Sequence, residues 1–257
     1  FGSSTAGNWL KHTGPQHSFD LMPLPDGTNA EKEDPSPPLG WTSKDDLKDV
    51  VLYQADPSPP CCKIRLMLTF YGVPFEKKNH SGGKPIKKGG SYKLVPVLVV
   101  SGRQVNDSYI IMKHLTPVLA GSFDQVWEDK ITFKLQVAIE LEAFTDTSDL
   151  IKFAKLAGFP GCLACCIAPC VKGLIAKKIR EKHPDLPPSK EVGREFKAAM
   201  GNSKFFGGEK PGPVDISYFG TLAAFIEAKT AVVQHHLDST GLREWWDRMN
   251  SQMPKIF

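Results

Sequence analysis

The sequence has no stretch long and apolar enough to read as a membrane span, no basic stripe, few cysteines and no leading methionine. Each absence excludes something. The longest mainly apolar run, around 156–176, is interrupted by Gly158, Pro160, Gly161, Pro169, Lys172 and Gly173, whereas a spanning helix needs about 20 apolar residues. An interfacial or partner-buried element is still compatible with it. The formal net charge is only +4 over 257 residues, and no run of Lys and Arg alternates with aromatics. The electrostatic footprint of a nucleic-acid binder is therefore missing. Six cysteines, grouped at Cys61-Cys62 and between Cys162 and Cys170, do not make a secreted disulfide scaffold and point to a reducing compartment. The chain starts at Phe1, which fits either removal of a targeting segment or a missing beginning.

What is present is ordinary core-forming material: 41% hydrophobic and 23% charged residues, enough to bury a core at this length. Residues 1–47 lack that pattern. Gly, Ser, Pro, Asp and Asn dominate, and Asp34-Pro35-Ser36-Pro37-Pro38 reads as an extended linker. This segment is either a solvated tail or an arm that docks through Trp9, Leu10, Phe19, Leu21, Met22, Leu24 and Trp41. Residues 48–121 form a first domain. Val50 to Tyr53 reads as a short strand, Cys61 to Tyr71 as a helix, and Phe75 to Asn79 as a second strand. Gly72-Val73-Pro74 ends that helix, because proline disfavours helical geometry in the residue before it. Val97 to Val100 and Gln104 to Asn106 read as a hairpin around Ser101-Gly102, and Ser108 to Leu119 as a closing helix. Residues 122–257 carry helical spacing almost throughout. Pro213 and Asp215 mark one helix start, where the carboxylate can accept backbone N–H bonds.

The order of strand, polar loop with a cysteine at a helix start, strand opening on Val95-Pro96, and Asp107-Ser108 at another helix start is a thioredoxin-type arrangement. It resembles the glutathione-binding domain of the glutathione transferase superfamily, and within it membrane-associated prostaglandin E synthase type 2. The resemblance runs from about residue 49 to the end. It implies a thioredoxin-like α/β domain followed by an all-α glutathione-transferase C-terminal-like domain, with a short helix within 80–90.

The same resemblance implies a site. The Cys-Pro-Phe-Cys motif of the related synthase falls on Ser58-Pro59-Pro60-Cys61 here, so its leading cysteine is Ser58 and its second is Cys61; a nearby tyrosine is replaced by Ala55. A serine hydroxyl stays protonated near neutral pH and cannot carry out thiol–disulfide exchange. Three readings stay open. Ser58 donates a hydrogen bond to a glutathione thiolate; or Cys61 acts as a displaced nucleophile, helped by the helix start and by Lys63 or Arg65; or Cys61 and Cys62 simply pack the helix. Glutathione is the implied cofactor. Val95-Pro96 would expose backbone to the tripeptide, and Asp107-Ser108 would bind its γ-glutamyl end, with helix N–H groups for the carboxylate and Asp107 for the ammonium. The bland alternative is a helix cap and a fold-fixing proline.

Cys162, Cys165, Cys166 and Cys170 form a second cluster. Their spacing matches neither paired zinc knuckles nor a ferredoxin run. Pro169 is expected to break the helical face before Cys170, and small neighbours suggest thiols packed in a tight interior, with lipid or membrane contact and metal binding as the alternatives. No metal site is expected, and His235-His236 lacks ligand partners at suitable spacing. Two functions follow. One is an accessory structural subunit that has kept the fold and lost the chemistry, with protein partners in an organellar membrane complex (mitochondrion or plastid). The other is a glutathione-dependent isomerase or transferase.

Overall fold

A four-residue strand and the helix that follows it set the frame. The structure is a computed structural model and describes residues 39–80, 85–86, 92–158 and 160–256, the side chains of Ile167 and Val171 excepted. Strand β1 (Val51–Gln54) lies inside a sheet of order β2-β1-β3-β4. It pairs parallel with β2 (Glu76–Asn79) and antiparallel with β3 (Val97–Val100), which pairs antiparallel with β4 (Arg103–Asn106). Each strand is within a residue or so of its sequence expectation. Leu52, Leu98, Val100 and Val105 bury one face. The turn at Ser101-Gly102 has positive φ at both residues, the geometry that a two-residue hairpin requires.

Helix α1 (Pro59–Phe70) begins two residues earlier than the cysteine that was expected to open it, because prolines suit the first helical turn, where no N–H partner is needed. Helix α2 (Ser108–Ala120) ends on Gly121 at φ 84°, a left-handed cap that glycine adopts without steric cost. The second part is helical: α3 (Gln125–Asp129), a π-helical stretch (Lys130–Leu135), α4 (Gln136–Thr145), α5 (Thr147–Leu156), α6 (Gly161–Lys182), α7 (Ser189–Met200), α8 (Pro213–Glu227), α9 (Ala231–Thr240) and α10 (Arg243–Gln252). Asp215 is fully buried at the start of α8, accepting from the Phe206 and Gly212 N–H groups at 2.9 and 3.0 Å and from Trp245 Nε1 at 2.8 Å.

One expectation is overturned in α6. The helix runs unbroken through Pro169 for 22 residues. Proline removes one intrahelical hydrogen bond, and the packing of Ala164, Ala168, Ile175 and Ile179 toward α4 and α5 sustains the helix across the gap. Of the arm anchors, Trp9, Leu10, Phe19, Leu21, Met22 and Leu24 lie outside the described residues, as does most of 80–90, where a short helix was expected. Trp41 is described. It meets the His114 ring edge-on at 6.3 Å, while Arg103 Nη1 donates to Leu39 O at 2.8 Å.

The two parts meet across α1 and α8. Residues 215–225 of α8 are buried throughout. At Gly220 an added Cβ would sit 2.6 Å from Lys63 Cα, so the two backbones touch where only glycine fits. Lys63 itself is completely buried and reaches away from the thioredoxin-like part. Its Nζ lies 2.5 Å from Glu128 Oε1 and 2.9 Å from Thr132 Oγ1, and Thr132 Oγ1 donates to the same carboxylate at 2.8 Å. A buried charge stripped of its partner is costly, while replacing both partners by apolar residues is often neutral. Glu128→Gln should therefore lower the unfolding free energy by about 3–5 kcal/mol. The double change Lys63→Met, Glu128→Leu should recover most of that loss, as read from urea denaturation midpoints.

A second polar group is buried inside the helical part. His236 Nε2 is 2.8 Å from Tyr218 Oη and its Nδ1 is 3.1 Å from Ser189 Oγ, joining α9 to α8 and α7. Burial, reinforced by the neighbouring His235, holds the ring's pKa down to about 4. The folded protein keeps His236 neutral while the unfolded chain protonates it near pH 6.5. Its contribution to stability is complete above about pH 6.5 and is lost as the pH falls towards 4. His236→Gln should cost stability at neutral pH and flatten the fall in Tm across that window relative to the wild type.

Candidate functional site

The strand registers bring the predicted site segments to one end of the sheet. Tyr53 opposes Val97, and Val97 opposes Asn106. The loop after β1 with Ser58, the Val95-Pro96 entry to β3 and the Asp107-Ser108 start of α2 therefore share that edge. Val95-Pro96 is a cis peptide, with Val95 half-buried and Pro96 buried.

Ser58 is the N-cap residue of α1, in extended conformation, yet its side chain caps no helix N–H. Its hydroxyl is turned instead to the Cys61 thiol. Cys61 and Cys62 are fully buried. Burial pushes the Cys61 thiol up to about 11, against the downward pull of Ser58, the Ala55 backbone and Arg65. At pH 7 that leaves only about one thiolate in ten thousand. Cys62 is pushed up to about 12, again by burial, although Arg65 Nη2 lies 3.2 Å from its sulfur. A helix start lowers a thiol's pKa when the sulfur can be solvated there; here desolvation outweighs it. Lys63, a candidate helper for Cys61, belongs to Glu128.

Arg65 has a different task from the one considered in the sequence. Buried beside the loop, it donates through Nη1 to Gln54 Oε1 and through Nη2 to Asp56 O at 2.8 Å. Gln54 Nε2 in turn donates to Asp56 Oδ1 at 3.1 Å and Asn79 Oδ1 at 2.5 Å. Lys77 Nζ closes the group at 3.1 Å from Asp56 Oδ1. Burial raises the Asp56 carboxyl, but Gln54, Lys77 and Arg65 together hold it below the usual range. Gln54, Asp56 and Arg65 thus fix the loop that carries Ser58. The sequence signal was a second cation, two residues after Lys63, in a helix otherwise apolar around the pair.

Asp107 caps α2 by accepting the Tyr109 N–H at 2.8 Å. Its φ of 68° with ψ of 138° falls in a region that non-glycine residues seldom occupy, and such residues cluster at ligand clamps. Burial raises its carboxyl to about 6, opposed by the Tyr109 backbone and by Lys63 behind it, while Glu128 adds to the rise. Ser108 and Asn106 are buried, and Asn106 Oδ1 accepts from Gln104 Nε2 at 2.7 Å. Asn106 Nδ2 is buried without a hydrogen-bond partner. The arrangement brings a capped helix start, the Asp107 carboxylate and the cis Val95-Pro96 segment to one end of the sheet, with the Cys61 and Cys62 sulfurs buried.

The second cysteine cluster is the reverse of the expectation. Cys162, Cys165, Cys166 and Cys170 are all exposed. The small residues that pack are Ala164 and Ala168 on the opposite ridge of α6. Among the described residues no group of His, Cys, Asp or Glu is placed to hold a metal, and no helix is long and apolar enough to cross a membrane. In the native protein a thiol reagent should modify four of the six cysteines quickly. Cys61 and Cys62 should react only at the rate of opening, with the full count reached in denaturant.

Comparison with known proteins gives three findings. The family model for the glutathione S-transferase N-terminal domain matches residues 52–117. Prostaglandin E synthase 2 of Danio rerio is 23% identical over 288 residues, covering 86% of this chain and 74% of that protein. Among solved structures, a beta-etherase from Sphingobium is similar with a TM-score of 0.53 at 16% identity, covering 79% of this chain and 95% of the other. A rice glutathione transferase in complex with glutathione is similar at 19% identity and a TM-score of 0.46, over 80% of this chain and 85% of that one.

Proposed function

From a chain that carries a glutathione S-transferase N-terminal domain and the fold of that superfamily, we propose a catalytically degenerate, prostaglandin E synthase 2-like protein that serves as an accessory structural subunit of an organellar membrane complex. The observation that carries the degeneracy is the burial of both helix-start sulfurs, with Cys61 at about 11 and Ser58 turned towards it. Neither side chain is poised to activate a thiol or to attack an electrophile. The membrane-associated part rests on the resemblance to membrane-associated prostaglandin E synthase type 2. Purified protein supplied with glutathione should form neither prostaglandin E nor thiol conjugates. From its own organelle it should migrate with a large membrane assembly. Glutathione-dependent turnover that Ser58→Ala abolishes would sink this reading.

One arrangement favours a second reading, a glutathione-dependent isomerase or transferase. Val95-Pro96 and Asp107-Ser108 converge at one sheet edge, with Asp107 held in a strained backbone conformation. A γ-glutamyl ammonium needs the ionised carboxylate, and Asp107 ionises as the pH rises through about 6. Glutathione should bind more weakly at pH 5 than at pH 7 by calorimetry. Asp107→Asn, which tolerates positive φ, should weaken it at pH 7 by about tenfold, roughly 1.4 kcal/mol. No heat at millimolar glutathione would remove this second reading.

A further inference from the structure

Helix α6 exposes a face that the fold does not use. On its inner ridge Ala164, Ala168, Ile175, Ala176 and Ile179 are buried. On the outer side Cys162, Leu163, Cys166, Pro169, Cys170, Gly173 and Leu174 are exposed, following one another at helical spacing. No charged residue occurs between Gly161 and Val171. The apolar face is about 20 Å long at 1.5 Å rise per residue. Three large hydrophobic residues are exposed among the described ones, and two of them are here, Leu163 at 41% and Leu174 at 55%.

The same helix changes character past that face. Residues 172–182 contain Lys172, Lys177, Lys178, Arg180 and Lys182 against the single Glu181. Lys172, Lys177 and Arg180, with Thr145, Gly173, Ala176 and Glu181, line a cleft of about 500 Å³. The pairing of Lys177 with Glu181 is long, at 3.8 Å, and exposed, so it offsets little of the positive charge. Lys155, from α5, lies against Gly161 at the other end.

We propose that the outer face of α6 is a peripheral docking surface for an anionic phospholipid bilayer. The apolar N-terminal half dips into the boundary between headgroups and acyl chains. The basic C-terminal half stays among the headgroups, and the cleft receives a lipid phosphate. On the outer face the apolar side chains lead into the exposed Lys177 and Arg180, while Lys172, Lys178 and Lys182 are half-buried and Lys172 Nζ donates to Thr147 Oγ1 at 2.8 Å. A protein-docking patch concentrates aromatics and Arg at its centre with a mixed polar rim, whereas here leucines and small thiol side chains adjoin Lys177 and Arg180, joining the two contributions that bind a protein to an anionic bilayer surface, buried apolar area and attraction to the headgroups. The proposal deepens the membrane-associated part of the function above and rests on it. It does not depend on the state of the thiol site.

The test is co-sedimentation of the full chain with vesicles of phosphatidylcholine, with and without phosphatidylglycerol. Binding should require the anionic lipid and weaken as salt rises. Leu163→Asp and Leu174→Asp should each reduce affinity at least about tenfold by losing a buried leucine. Lys177→Glu and Arg180→Glu should each reduce it about fivefold or more per cation lost. Lys210→Glu, exposed ahead of α8, should have a much smaller effect, and circular dichroism should confirm that every variant is folded. Three outcomes overturn the proposal: no binding to anionic vesicles at low salt, binding that the α6 variants leave unchanged, or failure on vesicles while crude membranes still retain the protein, which would assign the face to a protein partner. Co-migration with a large complex tests the accessory-subunit reading separately and can succeed where vesicle binding fails.

Discussion

The contact between α1 and α8, and the buried ion pair that leaves it, govern the rest of the molecule. Gly220 brings α8 against the backbone of Lys63, and Lys63 then reaches Glu128 and Thr132 in the helical part. A lysine ammonium in a dry interior tolerates very little displacement, because its attraction to Glu128 repays the desolvation cost only at good geometry. The position of α1 is thereby set from behind by the helical domain, and from in front by the sheet. Everything that α1 presents at its N-terminus inherits that constraint. Asp107 inherits it too, since the charges that tune its carboxyl include Lys63 and Glu128.

The same constraint accounts for the state of the thiols. A helix N-terminus favours a thiolate through its unpaired amides and dipole, by an amount that depends on how much water reaches the sulfur. Cys61 and Cys62 lie between α1 and its packing partners, where burial dominates. The first position of the motif is Ser58, itself buried. The electrostatic means for activating a sulfur are present, but burial outweighs them at both sulfurs. The end of the sheet that carries Val95-Pro96 and Asp107-Ser108 is organised separately, by strand register and by the cap on α2.

Much of this was legible in the residues. Alternation and turn chemistry located the strands of the sheet and the hairpin at Ser101-Gly102, and Pro213 with Asp215 marked the start of α8. The resemblance supplied the order of the two parts. Partner choice was less legible. Lys63 and Arg65 both read as possible helpers of Cys61, and only the folded chain separates them, sending one to Glu128 and the other to Gln54 and Asp56. The α6 thiols misled for a related reason. Cysteine, alanine and glycine all look like core residues by composition, and the buried ridge is chosen by what α4 and α5 present to it. The four-residue steps Ala164–Ala168 and Ile175–Ile179 mark that ridge, and Cys162, Cys166 and Cys170 mark the side opposite it. Pro169 reads as a helix breaker because local propensity does not include tertiary packing.

The crossing at Gly220 has an evolutionary consequence. A backbone-to-backbone contact allows no side chain to fill or adjust the gap, so the two halves can diverge at their outer surfaces but not at this seam. The backbone contact at Gly220 is the fixed part of the seam, and a recombinant exchanging one half with a distant relative would have to match it and either carry the Lys63–Glu128 pair or replace both partners together. Selection for the shape alone would preserve that contact for as long as the fold were needed, whatever happened at position 58. A substitution at position 58 leaves that seam untouched, so the architecture does not depend on what stands at the head of α1.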